Sequence, residues 1–272
     1  MVPEPGEADL IGSAEPAVGR PTPDGRAARW WGRPHAELLW QAEAMRLFVD
    51  PVFYGYGVPR GDGRPVLLLP GFVTGDYTLG PMAVWLRRIG YLPAACGIWV
   101  NADCSERALA RIERRVDALH HRHERRVALV GHSRGGYLAK ALAALRPELV
   151  SHVVSLGGGL SGHLDVSVPG RAAMALARLV HRRTTDRVLR RGCMTERCTC
   201  AFADAYSRPF PPAVRLTSIH SKGDGMVRWQ SCVVPYAENV EVGGSHIGLA
   251  YNHKAYRAIA RALAAPEHDA PV

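Results

Sequence analysis

Gly131-His132-Ser133-Arg134-Gly135 sets a serine between two glycines in the spacing G-x-S-x-G. A serine hydroxyl is a poor nucleophile until a base takes its proton. Five residues of this pattern say little alone, so their setting decides. The apolar run Arg126–Val130 (RVALV) precedes them directly, and a helical pattern over Tyr137–Leu145 follows, stopped by Pro147. Strand, sharp turn and helix is the setting of a nucleophile elbow. The turn strains the serine backbone, and the flanking glycines remove side chains that would collide there. The hydroxyl then projects above the sheet near the positive end of a helix dipole. The competing reading is an ordinary Gly-rich turn.

Twelve histidines compete to be the base. Behind an elbow of this kind the partners follow in the order serine, acid, histidine. His246 in Gly243-Gly244-Ser245-His246 follows the strand candidate ENVEV and precedes the last helix. A loop at the carboxyl end of a strand is where catalytic groups of open α/β sheets collect. His120, His121 and His123 precede the serine, His253 falls inside the last helix and His268 in the tail. His132 belongs to the elbow but points away from the serine. The acid is expected in Ser221-Lys222-Gly223-Asp224-Gly225-Met226-Val227, after the strand candidate Val214–His220. Asp224 there can accept from an imidazole nitrogen, fix its tautomer and stabilise the imidazolium. An aspartate between glycines is also a common turn residue. Asp165, Asp186 and Asp204 are weaker choices.

An acyl transfer further needs donors for the developing oxyanion. One is expected from the backbone N–H of Arg134, next to the nucleophile. The other is expected from the backbone N–H of Phe72 in the loop Pro70-Gly71-Phe72.

The elements that must position these residues follow from periodicity. Pro65–Pro70, Tyr91–Trp99, Arg126–Val130, Leu149–Leu156, Val214–His220 and Asn239–Val242 read as strands. Helices are expected over His35–Val49, Leu79–Ile89, Ser105 to about His121, Tyr137–Leu145 and about Tyr251–Ala264. This rhythm argues for a mostly parallel sheet with helices on both faces. From Gly159 to Pro212 the rhythm gives way to helical, Arg-rich sequence, read as an insertion over the sheet. Met174, Leu176, Leu179 and Val180 are spaced for one apolar face that would line an acyl pocket.

The 272 residues suffice for one large domain, and 47% are hydrophobic, which excludes general disorder. Residues 1–34 read as a flexible arm and 35–268 as the folded domain. No apolar run approaches the roughly 20 residues of a membrane span, and no secretory pattern opens the chain, so a cytoplasmic location is expected. The net charge is +9, and between Arg171 and Arg197 eight arginines face only Asp186 and Glu196. Such a patch suits an anionic surface or partner; a solvated helix face is the plainer reading, and nucleic acid is not expected. Cys193, Cys198, Cys200 and Cys232 have neither C-x-x-C nor finger-like histidine spacing, so no metal is expected. A Cys200–Cys232 disulfide stays open, although a cytosolic chain keeps thiols reduced.

Taken together, LLLPGF, GHSRGG, SKGDGMV and GGSHIGL resemble the α/β-hydrolase superfamily, in particular bacterial lipase- and esterase-like members, over about residues 60–265. The resemblance implies the α/β-hydrolase fold with a lid over 159–212. It also implies a Ser133-Asp224-His246 triad acting on acyl esters, lipid esters included, without a cofactor. Ser221, Asp224 and Val227 match the S-x-x-D-x-x-V segment that carries the acid in similar lipases. The departure is Pro70-Gly71 where many relatives have His-Gly, which removes a side chain that orders the oxyanion loop. A thioesterase or acyltransferase using the same triad, and a non-catalytic binding protein on the same fold, are the alternatives.

Overall fold

In the computed structural model, which describes residues 30–184, 195 and 198–268, the apolar runs become strands of one sheet. In chain order they are β1 (Pro65–Leu69), β2 (Leu92–Ala95), β3 (Val127–His132), β4 (Val150–Leu156), β5 (Arg215–His220) and β6 (Glu238–Glu241). The spatial order is β2-β1-β3-β4-β5-β6 and every pairing is parallel. The helices are α1 (Trp40–Val49), α2 (Gly80–Arg88), α3 (Ser105–His123), α4 (Arg134–Leu145), α5 (Val168–Thr184), α6 (Ala201–Ser207), α7 (Trp229–Cys232) and α8 (His253–Ala264).

β1, β3 and β4 are buried along their whole length, while the edge strands β2 and β6 are largely exposed. Central strands covered on both faces need no polar alternation, hence their continuous apolar sequence. Successive side chains still point to opposite faces. Leu67, Leu69 and Leu129 join a core with Leu109, Ile112 and Leu138 of α3 and α4. Val66, Leu68 and Val130 join a second core with Trp85 of α2 and Tyr256 of α8, whose rings lie 4.5 Å apart. The chain passes from β1 to β2 at the sheet edge, then crosses to β3 on the other side of β1. That reversal opens a crevice at the carboxyl ends of β1 and β3, where ligands of such sheets bind.

Several elements differ from expectation. The second strand stops at Ala95 rather than Trp99, because the N–H groups of Gly97 and Ile98 turn to Asp76 Oδ2 at 2.8 and 3.0 Å instead of the ladder. The expected helix His35–Val49 is a 3-10 turn (Pro34–Leu39) leading into α1. The last helix starts at His253, where Asn252 Oδ1 accepts from the Lys254 and Ala255 N–H groups. Of the expected arm, residues 1–29 lie outside the described residues. Trp30 accepts from the Val168 N–H through its carbonyl at 2.8 Å.

Between β4 and β5 the described residues form helices α5 and α6 and no strand beyond a single bridge, Val166 to Val227. α6 packs Phe202, Ala205 and Tyr206 into the core around α4. On α5, Leu176 and Leu179 do not face a pocket: they are 60% and 47% exposed. Met174 lines the cavity as expected, and Gly170 and Ala173 line it in place of the two leucines. The Val180 side chain and most of the basic segment lie outside the described residues. Cys200 and Cys232 are both free, and Cys200 lies nearer Cys198, with the sulfurs 3.1 Å apart.

Candidate active site

Ser133 is the single residue between the end of β3 and the start of α4. Its φ of 52° and ψ of −116° are rare for a residue with a side chain, a conformation that costs on the order of 1–3 kcal/mol. The backbone around it is held: its N–H donates to Leu156 O at 2.7 Å and its C=O accepts from Gly136 N–H at 2.9 Å. The motif glycines are steric necessities. A Cβ on Gly131 would fall 2.3 Å from the Gly135 carbonyl carbon, and one on Gly135 would fall 2.2 Å from Leu69 O.

Asp224 and His246 arrive on the loops after β5 and β6. Asp224 Oδ1 accepts from the Met226 and Val227 N–H groups at 2.8 and 2.7 Å. Oδ2 is left to accept from His246 Nδ1 at 2.6 Å. With Nδ1–H given to the carboxylate, Nε2 is the free nitrogen of the neutral ring. Both side chains are buried. Burial alone would lower the His246 pKa. The Asp224 charge and hydrogen bond, with the Glu37 charge, outweigh it, and the net shift is upward. His132 behaves oppositely: burial, then the neighbouring His246, push its pKa down to about 4. His132 is therefore neutral, and its Nε2–H donates to the His246 carbonyl at 2.9 Å.

Ser133, Arg134, Phe72 and His246 line one cavity of 230 Å³, and Asp224 stands behind His246 outside it. The remaining wall is mostly apolar, with Val73, Tyr137, Met174, Met226 and Ile247. His163 is a polar exception, its pKa lowered to about 4 by burial and by the charges of Arg134 and Lys140. The N–H groups of Phe72 and Arg134 have no acceptor among the described residues. The Ser133 hydroxyl makes no hydrogen bond to the imidazole, although both line the same cavity. A larger hollow of 370 Å³ beside Phe210, Arg215 and Tyr236 contains none of the predicted site residues. The described residues hold no group of three or more His, Cys, Asp or Glu side chains fit for a metal, and no helix long and apolar enough to cross a membrane.

Three supporting side chains, Asn101, Glu37 and Glu43, escape the motifs. Asn101 holds the Phe72 loop through Nδ2 to Pro70 O (2.7 Å), its N–H to Thr74 O (2.8 Å) and its carbonyl from Val73 N–H (3.1 Å). Arg134 Nε donates to Asn101 Oδ1 at 2.9 Å, so the residue after Ser133 is tied to that loop. This network ties the loop after β1 to the turn at Ser133. On the other side, Glu37 accepts from the N–H groups of Gly225, His246 and Ile247. Glu43 accepts from Ser245 N–H and Oγ–H at 2.9 and 2.6 Å. No local pattern marks Asn101, Glu37 or Glu43; each works across a long stretch of chain.

A family model described as alpha/beta hydrolase fold matches residues 102–200. No curated protein matches the chain. Among solved structures, a lipase from Bacillus licheniformis in its mature form aligns with a TM-score of 0.56 at 15% identity, covering 76% of this chain and 94% of that one. A methylesterase from Arabidopsis aligns with a TM-score of 0.51 at 13% identity, covering 74% and 98%. At these identities the likeness is one of fold.

Proposed function

We propose that this chain, a member of the α/β-hydrolase superfamily, is a serine hydrolase that cleaves carboxylic esters through Ser133, His246 and Asp224. One observation carries the reading: the 2.6 Å Asp224–His246 pair shares a site with a serine held at φ 52°. His246 Nε2 takes the Ser133 proton as Oγ attacks the acyl carbon. Asp224 keeps Nδ1–H in place and balances the imidazolium. The Phe72 and Arg134 N–H groups receive the oxyanion. The imidazolium returns its proton to the leaving alcohol, and the acyl group stays on Ser133. Water, deprotonated by His246, then attacks the acyl-enzyme and frees the acid. No step calls for a metal or organic cofactor.

The apolar wall suits an acyl chain without charge, and two of the solved structures with this fold are named as a lipase and a methylesterase. In this reading residues 35–268 are the hydrolase domain and 159–212 its cap, of which α5 covers the cavity. The enzyme is placed in the cytoplasm, and its basic 171–197 segment is read as a solvated helix face open to contact with an anionic surface, with no role for nucleic acid. A fluorophosphonate probe tests the chemistry. It should label the wild type and leave Ser133→Ala unlabelled. Equal labelling of both, or none of the wild type, overturns the assignment.

A further inference from the structure

We propose that Glu37 is a positioning residue for the acid–base pair, its buried carboxylate joining the Asp224 and His246 loops and facing the imidazolium with a second negative charge. The proposal rests on His246 being the base. Glu37 is only 6% exposed. Its Oε1 accepts from Gly225 N–H and from His246 N–H, each at 3.0 Å, and its Oε2 from Ile247 N–H at 2.8 Å. Gly225 follows Asp224 directly, so one carboxylate spans the loops of both residues. A side chain at Gly225 would fill the approach, because a Cβ there would lie 2.9 Å from Glu37 Oε1 and 2.5 Å from Arg33 O.

A buried carboxylate is costly unless compensated. Among the described residues Glu37 has no cationic side chain within ion-pair distance; the dipoles of three N–H groups take that place. His246 is thereby fixed at three points: its N–H by Glu37, its C=O by His132 Nε2–H and its Nδ1–H by Asp224. The titratable groups against His246 are Asp224 from the β5 loop at its Nδ1, Glu37 from the turn before α1 at its backbone N–H, and neutral His132 from the end of β3 at its carbonyl. Only the two carboxylates favour a protonated ring. The stretch ahead of α1, far from the nucleophile in sequence, is thus part of the catalytic support.

Two readouts on the full chain test this: the NMR titration of the His246 ring, and kcat/KM against pH on a p-nitrophenyl ester. Glu37→Gln keeps the size and one oxygen but loses the charge. It should lower the His246 midpoint by roughly half a unit or more. The acid limb of kcat/KM should move down with it, while kcat/KM falls roughly ten- to a hundredfold. A His246 midpoint unmoved in Glu37→Gln reduces Glu37 to a structural anchor and overturns the proposal, whatever the rate. Should Glu37→Gln not fold, Glu37→Asp carries the test. It keeps the charge but sets the carboxylate back by one methylene, so kcat/KM must fall and the midpoint must stay raised; wild-type kcat/KM overturns the proposal. A wild type that turns over no ester sinks the ester reading alone, because the NMR midpoint needs no turnover.

Discussion

The two flanks of Ser133 are held by opposite charges acting on opposite ends of the peptide dipole. On the side of His246, the buried carboxylate of Glu37 and the half-buried one of Glu43 gather the N–H groups of Gly225, Ser245, His246 and Ile247. On the oxyanion flank, the Arg134 guanidinium reaches through Asn101 to the Pro70 carbonyl. The difference follows from what each loop contributes. In the proposed mechanism the base loop acts through a side chain, so its N–H groups can be used up in anchoring. The oxyanion loop would act through an N–H, and it is anchored largely by its carbonyls, Pro70 O and Thr74 O, with the Phe72 N–H open.

Substitutions can separate the flanks. Removing the base outright, in His246→Ala, should lower kcat by roughly a thousandfold or more in p-nitrophenyl ester assays; retained turnover would move the base to another histidine. Asn101→Ala should lower kcat by roughly ten- to a hundredfold with little change in KM, as expected for a displaced oxyanion donor. Its acid limb should stay at the wild-type position, because no charge near His246 changes. A shifted limb would show that the flanks are not separable. Glu43→Gln weakens a contact one residue removed from the base, and kcat/KM should drop only a fewfold, roughly a single charged hydrogen bond.

The last effect falls on stability rather than rate, in mild acid. Folded His132 resists protonation until about pH 4, whereas in the unfolded chain it protonates near 6.5. Its neutral form therefore leaves stability intact above about pH 6.5, and the unfolded state gains as pH falls toward 4, by about 2–3 kcal/mol at most. Urea midpoints against pH should show this slope, and His132→Gln should flatten it. An unchanged slope would mean that another group governs acid sensitivity.

The separation also marks what the sequence makes legible. Ser133 could be read because an elbow compresses its steric demands into five adjacent residues, with the glycines at 131 and 135 admitting no Cβ. Asp224 and His246 could be read because each sits in a Gly-flanked loop directly after a strand candidate, the apolar run before the first and the alternating ENVEV before the second. Glu37 and Glu43 could not. Within HAELLWQAEAM they look like the solvated face of an amphipathic helix, and only folding brings Glu37 to His246, 209 positions away. Asn101 lies in an irregular stretch after β2 whose backbone is dictated by Asp76, a partner more than twenty residues earlier. The apolar stripe of α5 is legible only in part: Met174 lines the cavity as its spacing predicts, but periodicity does not show the surface beneath the stripe, and Leu176 and Leu179 point to solvent while Gly170 and Ala173 face the cavity.

The central claim is that Ser133 carries the acyl group. It is tested most directly by quenching the enzyme in acid during turnover of a p-nitrophenyl ester and mapping the modified peptide by mass spectrometry. The account predicts an acyl mass increment on the peptide containing Gly131-His132-Ser133, absent in Ser133→Ala. An increment on another residue, or full turnover by Ser133→Ala, would contradict it.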